Sequence, residues 1–166
     1  MRILGVDPGT VNLGFSVVDG EEEMRVVDCG VVNVSSRIPM ERRLSSLYER
    51  LGQIIAEHRP NEAAIEDPFV GHNVRSAFAI GRAQAIAILA AANQGLPVYY
   101  YSPATIKQQI TGYGQSDKRQ VQEMVRLQLG LSELPQPNDV ADALAIAICH
   151  IQHSRLNRWL SERIPR

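Results

Sequence analysis

Four carboxylates stand where the surrounding sequence has no ordinary use for a charge. Asp7 follows the apolar run 3–6, a stretch suited to a strand buried on both faces, and Pro8 and Gly9 after it set a turn. Glu66 repeats the device, because a short apolar segment beginning at Glu62 closes on Glu66, Asp67 and Pro68. Asp139 and Asp142 are three apart at the start of NDVADALAIAICH, an otherwise apolar helical stretch, so their side chains share one face about a turn apart. Strand ends in sheets of this kind are where ligands and metals bind.

Each acid has a plain explanation when taken singly. Asp-Pro-Gly is a turn whose carboxylate accepts backbone hydrogen bonds, and acids in a first helical turn cap free amides. Four of them at one end of one sheet would repel one another and be costly to bury. Hard divalent cations remove that cost. Mg2+ and Mn2+ prefer carboxylate and water ligands, and a pair of them can activate water on one side of a phosphodiester and stabilise the leaving oxygen on the other. The residue types alone leave two readings open, a metal-dependent phosphodiesterase and a scatter of caps and turns. His150, on the apolar final helix, is expected to be a hydrogen-bonded core residue, and Cys29 and Cys149 to fill core positions.

The elements that must position these acids follow from periodicity. Residues 3–6, 13–18 and 26–34 read as three successive antiparallel strands, with a charged hairpin connection at 21–23. In residues 39–58 the apolar side chains Leu44, Leu47, Leu51, Ile54 and Ile55 recur at helical spacing, with Pro39 near the start. A strand at 62–66, an alanine-rich helix at 73–93 and a strand at 97–101 come next. Helices at 103–110 and 117–129 follow, separated by a flexible glycine-containing loop at 111–116, and a last helix begins at Asn138 or Asp139. This order predicts an α/β fold with a five-stranded mixed sheet flanked by helices. At 166 residues the chain is read as a single domain over 1–154, with a basic, loosely held tail at 155–166.

The helix at 73–93 carries two apolar stripes instead of one. Ala79, Ile80, Ala83, Ile86, Ala87 and Ala90 form the first; Ala77, Phe78, Gly81, Ala85, Ile88, Leu89 and Ala92 form the second. The second stripe must meet either the helix at 39–58 or another copy of the chain.

A net charge of −1 hides a segregation: residues 1–71 hold 7 basic and 12 acidic side chains, whereas residues 72–126 hold 6 basic and 2 acidic ones. A basic central block permits a polyanionic partner. No signal-like opening and no span-length apolar run is apparent, so the cytoplasm is the expected location.

The sequence resembles the RuvC family of Holliday-junction resolvases, of ribonuclease-H-like fold, over nearly its whole length. The stretches that carry the resemblance are ILGVDPGTVNLGFSVV, AAIEDPF, NVRSAFAIGRA, VYYYSPATIKQQITGYGQSDKRQV and DVADALAIAICH, in this order and spacing. It implies that Asp7, Glu66, Asp139 and Asp142 form a catalytic, metal-binding tetrad for two Mg2+ ions, with Mn2+ as a substitute. It further implies that Lys107 and Lys118 contact the cleaved strand and that Phe69 is an aromatic wedge at the junction; Arg75 and Arg82 are candidate phosphate contacts. Implied partners are four-way junction DNA, a second copy of the chain, and the RuvA and RuvB branch-migration proteins. The implied reaction is paired symmetric nicking during recombination and repair, leaving 5′-phosphate and 3′-hydroxyl ends. Two positions depart from the family pattern, Asp67 where glutamine is usual and Ala85 where glycine is usual, and Asp67 raises the question which acid of the pair is the ligand. Competing readings are a nuclease that trims structured RNA, a sugar-kinase-like or actin-like ATPase, for which 166 residues are too few, and a junction-binding module without catalysis.

Overall fold

Three antiparallel strands open the chain in the computed structural model, which describes residues 1–20, 22–67 and 74–163. They are β1 (Arg2–Asp7), β2 (Asn12–Gly20) and β3 (Met24–Asn33), followed by α1 (Met40–His58), β4 (Glu62–Glu66), α2 (Val74–Asn93), β5 (Val98–Tyr101), α3 (Pro103–Thr111), α4 (Lys118–Gln128) and α5 (Asn138–Arg163). The sheet order is β3-β2-β1-β4-β5. β1 and β2 pair antiparallel, as do β2 and β3, whereas β4 lies parallel to both β1 and β5. The five-stranded mixed sheet expected from the sequence is therefore present.

Strand periodicity divides the core into two. Ile3 and Ala64 face α3, α4 and α5 and pack with Ile106, Val121, Leu144 and Ile148. Leu4, Val6, Ala63 and Ile65 face the other way, against Leu47, Leu51, Ile54 and Ile55 of α1 and Ala87, Ala90 and Ala91 of α2. The four α1 residues fall at i, i+4, i+7 and i+8, one helical stripe, and each contributes about 1.5–3 kcal/mol by leaving water. α1 stops at Arg59, whose backbone is left-handed (φ 48°) and whose N–H donates to the Ile55 carbonyl at 2.8 Å.

α5 lies unusually close to the sheet. A Cβ on Gly5 would run into the Ala143 carbonyl oxygen, and one on Gly14 into the Asp139 backbone; Ser16 Oγ donates to the Ala143 carbonyl at 2.8 Å. Small residues on β1 and β2 thus let helix backbone meet strand backbone, which sets the depth of the helix that carries two of the acids. His150 is buried on α5 as expected. A carboxylate only accepts, so its Nε2 donates to Glu62 at 2.6 Å, while Nδ1 is hydrogen-bonded with the Tyr101 hydroxyl at 2.7 Å.

α5 continues without a break to Arg163, through most of the segment that the sequence reading set apart as a loose tail. Extending an existing helix costs little, and Arg155 ties this stretch down by donating to the Gly20 and Glu22 carbonyls, each at 3.3 Å. From Leu156 to Ser161 the side chains are exposed.

α2 buries only part of its apolar surface. Ala83, Ala87, Ala90 and Ala91 face the core, whereas Phe78 is 67% exposed, Leu89 48%, and Ala85 and Ala92 are also exposed. α1 packs against α2 without covering these four. By length and composition Arg75–Asn93 would be apolar enough to cross a membrane, but one side of it is packed on this protein.

Candidate active site

Register brings the first two acids together. β1 and β4 run parallel with Gly5 opposite Ala64 and Val6 opposite Ile65; one residue further, Asp7 stands beside Glu66. Alternation along each strand puts Asp7 with Ile3 and Gly5, and Glu66 with Ala64, on the face that α5 covers. α5 then supplies Asp139 and Asp142 from its first turn and a half, and Gln122 Nε2 of α4 donates to Asn138 Oδ1 at 2.7 Å where the helix begins. The four carboxylates line one pocket of about 320 Å³, with Ile106 and Ile146 on its apolar side.

Two lysines complete the wall. Ser102 caps α3 by accepting the Thr105 N–H at 3.1 Å, with Pro103 at the first helical position, and Lys107 lies on the following turn. α4 opens with a capping box in which Asp117 accepts the Gln120 N–H at 2.8 Å and the Gln120 side chain accepts the Asp117 N–H at 2.9 Å. Lys118 is therefore the first helical residue, and its Nζ sits 3.4 Å from Asp142 Oδ2. The connection between α3 and α4, expected to be flexible, is tied by its own hydroxyls. Thr111 Oγ1 donates to the Lys107 carbonyl and Ser116 Oγ to the Tyr113 carbonyl, each at 2.8 Å.

The electrostatics are those of crowded acids short of cations. Burial, and after it the charges of Glu66, Asp142 and Asp139, drive the Asp7 carboxyl up to about 8, with Lys118 opposing. Glu66 is raised by burial and then by Asp142, while a hydrogen bond with Asp7 and the charges of Lys118 and Lys107 pull it back. Asp142 is raised by burial and restrained by Lys118. Two lysines do not neutralise four carboxylates, and the balance has to come from protons or from added cations.

Asp7, Glu66, Asp139, Asp142, Lys107 and Lys118 meet in this pocket. Arg75 and Arg82 do not: both are exposed on α2, where they line a groove with Phe78 and Met40. Phe69 falls outside the described residues. Of the Glu66–Asp67 pair, Glu66 lines the pocket, and Asp67 is exposed outside it. Gly5, Gly14 and Ser16 escaped the sequence reading, although glycine inside a strand is a signal of close backbone approach. Gln84 also escaped it; its amide reaches Asp67 at 3.0 Å.

A mixed sheet of this order, with acids gathered at its strand ends beneath a helix, defines the ribonuclease-H-like class of α/β proteins. Residues 3–150 match the family model for crossover junction endodeoxyribonuclease RuvC. A protein of that description from Dehalococcoides mccartyi is 50% identical over 163 residues, covering 98% of each chain. Another, from Chloroflexus aggregans, is 50% identical over 151 residues, covering 90% of this chain and 92% of the relative. Among solved structures, a Thermus thermophilus RuvC in complex with Holliday junction substrate is similar with a TM-score of 0.89 and 36% identity, over 95% of this chain and 96% of that one. A yeast mitochondrial Holliday junction resolvase shares the fold, with a TM-score of 0.66 at 14% identity. The chain belongs to the RuvC family of crossover junction endodeoxyribonucleases. It is an enzyme, a hydrolase of DNA.

Proposed function

We propose that this enzyme resolves four-way DNA junctions as a homodimer, by paired symmetric nicks that leave 5′-phosphate and 3′-hydroxyl ends and depend on divalent cations. The observation that carries the proposal is the convergence of Asp7, Glu66, Asp139 and Asp142 on one pocket with too little positive charge beside them. The donor set suits Mg2+, with Mn2+ as a substitute, because hard cations take carboxylate oxygens. As the side chains stand, no three His, Cys, Asp or Glu groups among the described residues are close enough together to hold an ion. Mg2+ keeps several water ligands and needs only one or two of these carboxylates directly. Two such ions would supply charge neutralisation and Lewis acidity for the attack of water on a phosphodiester.

The chain's own residues do the rest. Asp7 and Glu66 hold the site on rigid strand ends, and Asp139 and Asp142 close it from the helix. Lys107 and Lys118, at the pocket wall, face the backbone of the strand to be cut, and Lys118 favours the ionised form of Asp142. Arg75 and Arg82, both exposed on α2, are assigned to phosphates of a junction arm, and Phe69 to the wedge at the crossover. The exposed α2 stripe around Ala85 and Leu89 suits two-fold pairing, which would match the symmetry of a four-way junction. RuvA and RuvB are the expected partners in the cell, and the cytoplasm the expected compartment.

The test is titration of Mg2+ into a cleavage assay on a synthetic four-way junction. Cutting is expected only with metal, as two symmetric nicks that a ligase can seal. Asp7→Asn, Glu66→Gln, Asp139→Asn and Asp142→Asn should each lower the rate at least about 100-fold, more than loss of an outer-shell partner costs, with junction binding retained. Cleavage near the wild-type rate in any of these variants would remove that acid from the site.

A further inference from the structure

Gln84 reaches from α2 to the end of β4. Its Nε2 donates to the Glu66 carbonyl oxygen at 3.3 Å and to Asp67 Oδ1 at 3.0 Å. A primary amide carries two N–H donors, so both bonds form together. The Asp67 backbone N–H donates to the Tyr101 carbonyl at 2.8 Å, which fixes the same residue to β5. Glu66 is the last residue of its strand. Its backbone is held by β5 and by Gln84 of α2, while its carboxylate lines the acid pocket.

We infer that Gln84 and Asp67 form a strut that positions Glu66, with Gln84 as a positioning residue and Asp67 as its anchor, not a fifth acid of the site. The inference rests on the reading of Glu66 as a cation ligand. Inside β4 the backbone carbonyls are taken by the ladders with β1 and β5, so the strand end is where a side chain of α2 can tie helix to sheet. This one bonds the carbonyl of the ligand itself and the carboxylate next to it, and metal-holding carboxylates tolerate little displacement. Gln84 also sits at the border between the buried Ala83 and Ala87 side of α2 and its exposed Ala85 and Leu89 side. Any shift of α2 is therefore passed to Glu66 through one hydrogen bond to its carbonyl and one to the neighbouring Asp67, so the strut links the helix face proposed for pairing to the acid site.

Gln84→Met keeps length and packing but removes both donors; Asp67→Ala removes the anchor; Asp67→Asn keeps an acceptor oxygen. Mn2+ binding to DNA-free protein is followed by electron paramagnetic resonance, single-turnover cutting is measured on a four-way junction, and junction binding is measured in Ca2+. Gln84→Met and Asp67→Ala should each weaken Mn2+ binding and slow cutting about tenfold, the range found for outer-shell partners of metal ligands. Asp67→Asn should stay near wild type, the double variant should be no worse than either single one, and junction binding in Ca2+ should not change. Wild-type Mn2+ affinity in both single variants, or losses that multiply in the double variant, would overturn the strut. So would a loss in Asp67→Asn as large as in Glu66→Gln, which would make Asp67 a ligand. If wild-type protein binds Mn2+ and cuts while the variants are unaffected, the strut alone fails; if wild-type protein does neither, the metal-dependent function fails with it.

Discussion

Asp7 sits at the centre of the acid cluster, and its carboxyl holds a proton up to about pH 8 in the metal-free protein. Its ordinary value is 3.8, so between about pH 4 and 8 the folded chain binds more protons at this group than the unfolded chain does. Stability is then greatest at the acid end of that window and falls as pH rises through it. Melting followed in chelator should show the midpoint dropping from pH 5 to 8, with a smaller drop in Asp7→Asn. Added Mg2+ should recover most of the loss at pH 8, since a ligand at 100 times its Kd stabilises by about 2.7 kcal/mol. A midpoint independent of pH in both proteins would contradict this account of the site. The lysines make a different kind of prediction, because their contribution is to a polyanion. Lys107→Ala and Lys118→Ala should each reduce the slope of log affinity against log salt by about one unit. An unchanged slope together with unchanged cutting would return both to ordinary surface residues.

Among the elements, α5 matters most, because its depth on the sheet decides whether two acids from a helix reach two acids from strands. That depth depends on Gly5, Gly14 and the Ser16 hydroxyl bond to Ala143. Gly14→Ala would place a methyl group against the Asp139 backbone, which cannot swing aside as a flexible side chain can. Forcing a methyl into such a contact costs about 1–3 kcal/mol, so urea unfolding should show a loss of that order. Cutting should fall by more than stability does, because the displacement acts on Asp139 itself. A variant that loses stability but cuts normally would show that the helix recovers its position.

For the whole molecule, the open question is what covers α2. Ala83 is fully buried and Ala85 exposed, so the two substitutions that a helical wheel treats alike now have opposite outcomes. Ala83→Glu places an unpaired charge in the core and should prevent folding. Ala85→Glu should give a folded monomer that binds a junction weakly and does not cut both strands together. Sedimentation at micromolar concentration, paired with a two-strand cleavage assay, checks this. Wild-type protein that sediments as a monomer and still makes paired cuts would exclude the dimer.

Much of this fold was legible in the sequence because its signals are local. The spacing of Leu47, Leu51, Ile54 and Ile55 and the Pro-Gly turn after Asp7 each act within a few residues, and periodicity with such turn signals placed four acids at strand ends and on one helix face. The β4 bounds, Glu62–Glu66, coincide with the reading for that reason. What tertiary structure alone decided is which surfaces meet. Ser16 and Ala143 are 127 positions apart, and Glu62 and His150 are 88 apart; no periodicity relates them. The same holds for Gln84 and Asp67, whose pairing assigns a place to an acid that the sequence left ambiguous. It holds too for the two stripes of α2, which are equally apolar as sequence and become different only when one of them is packed against the sheet.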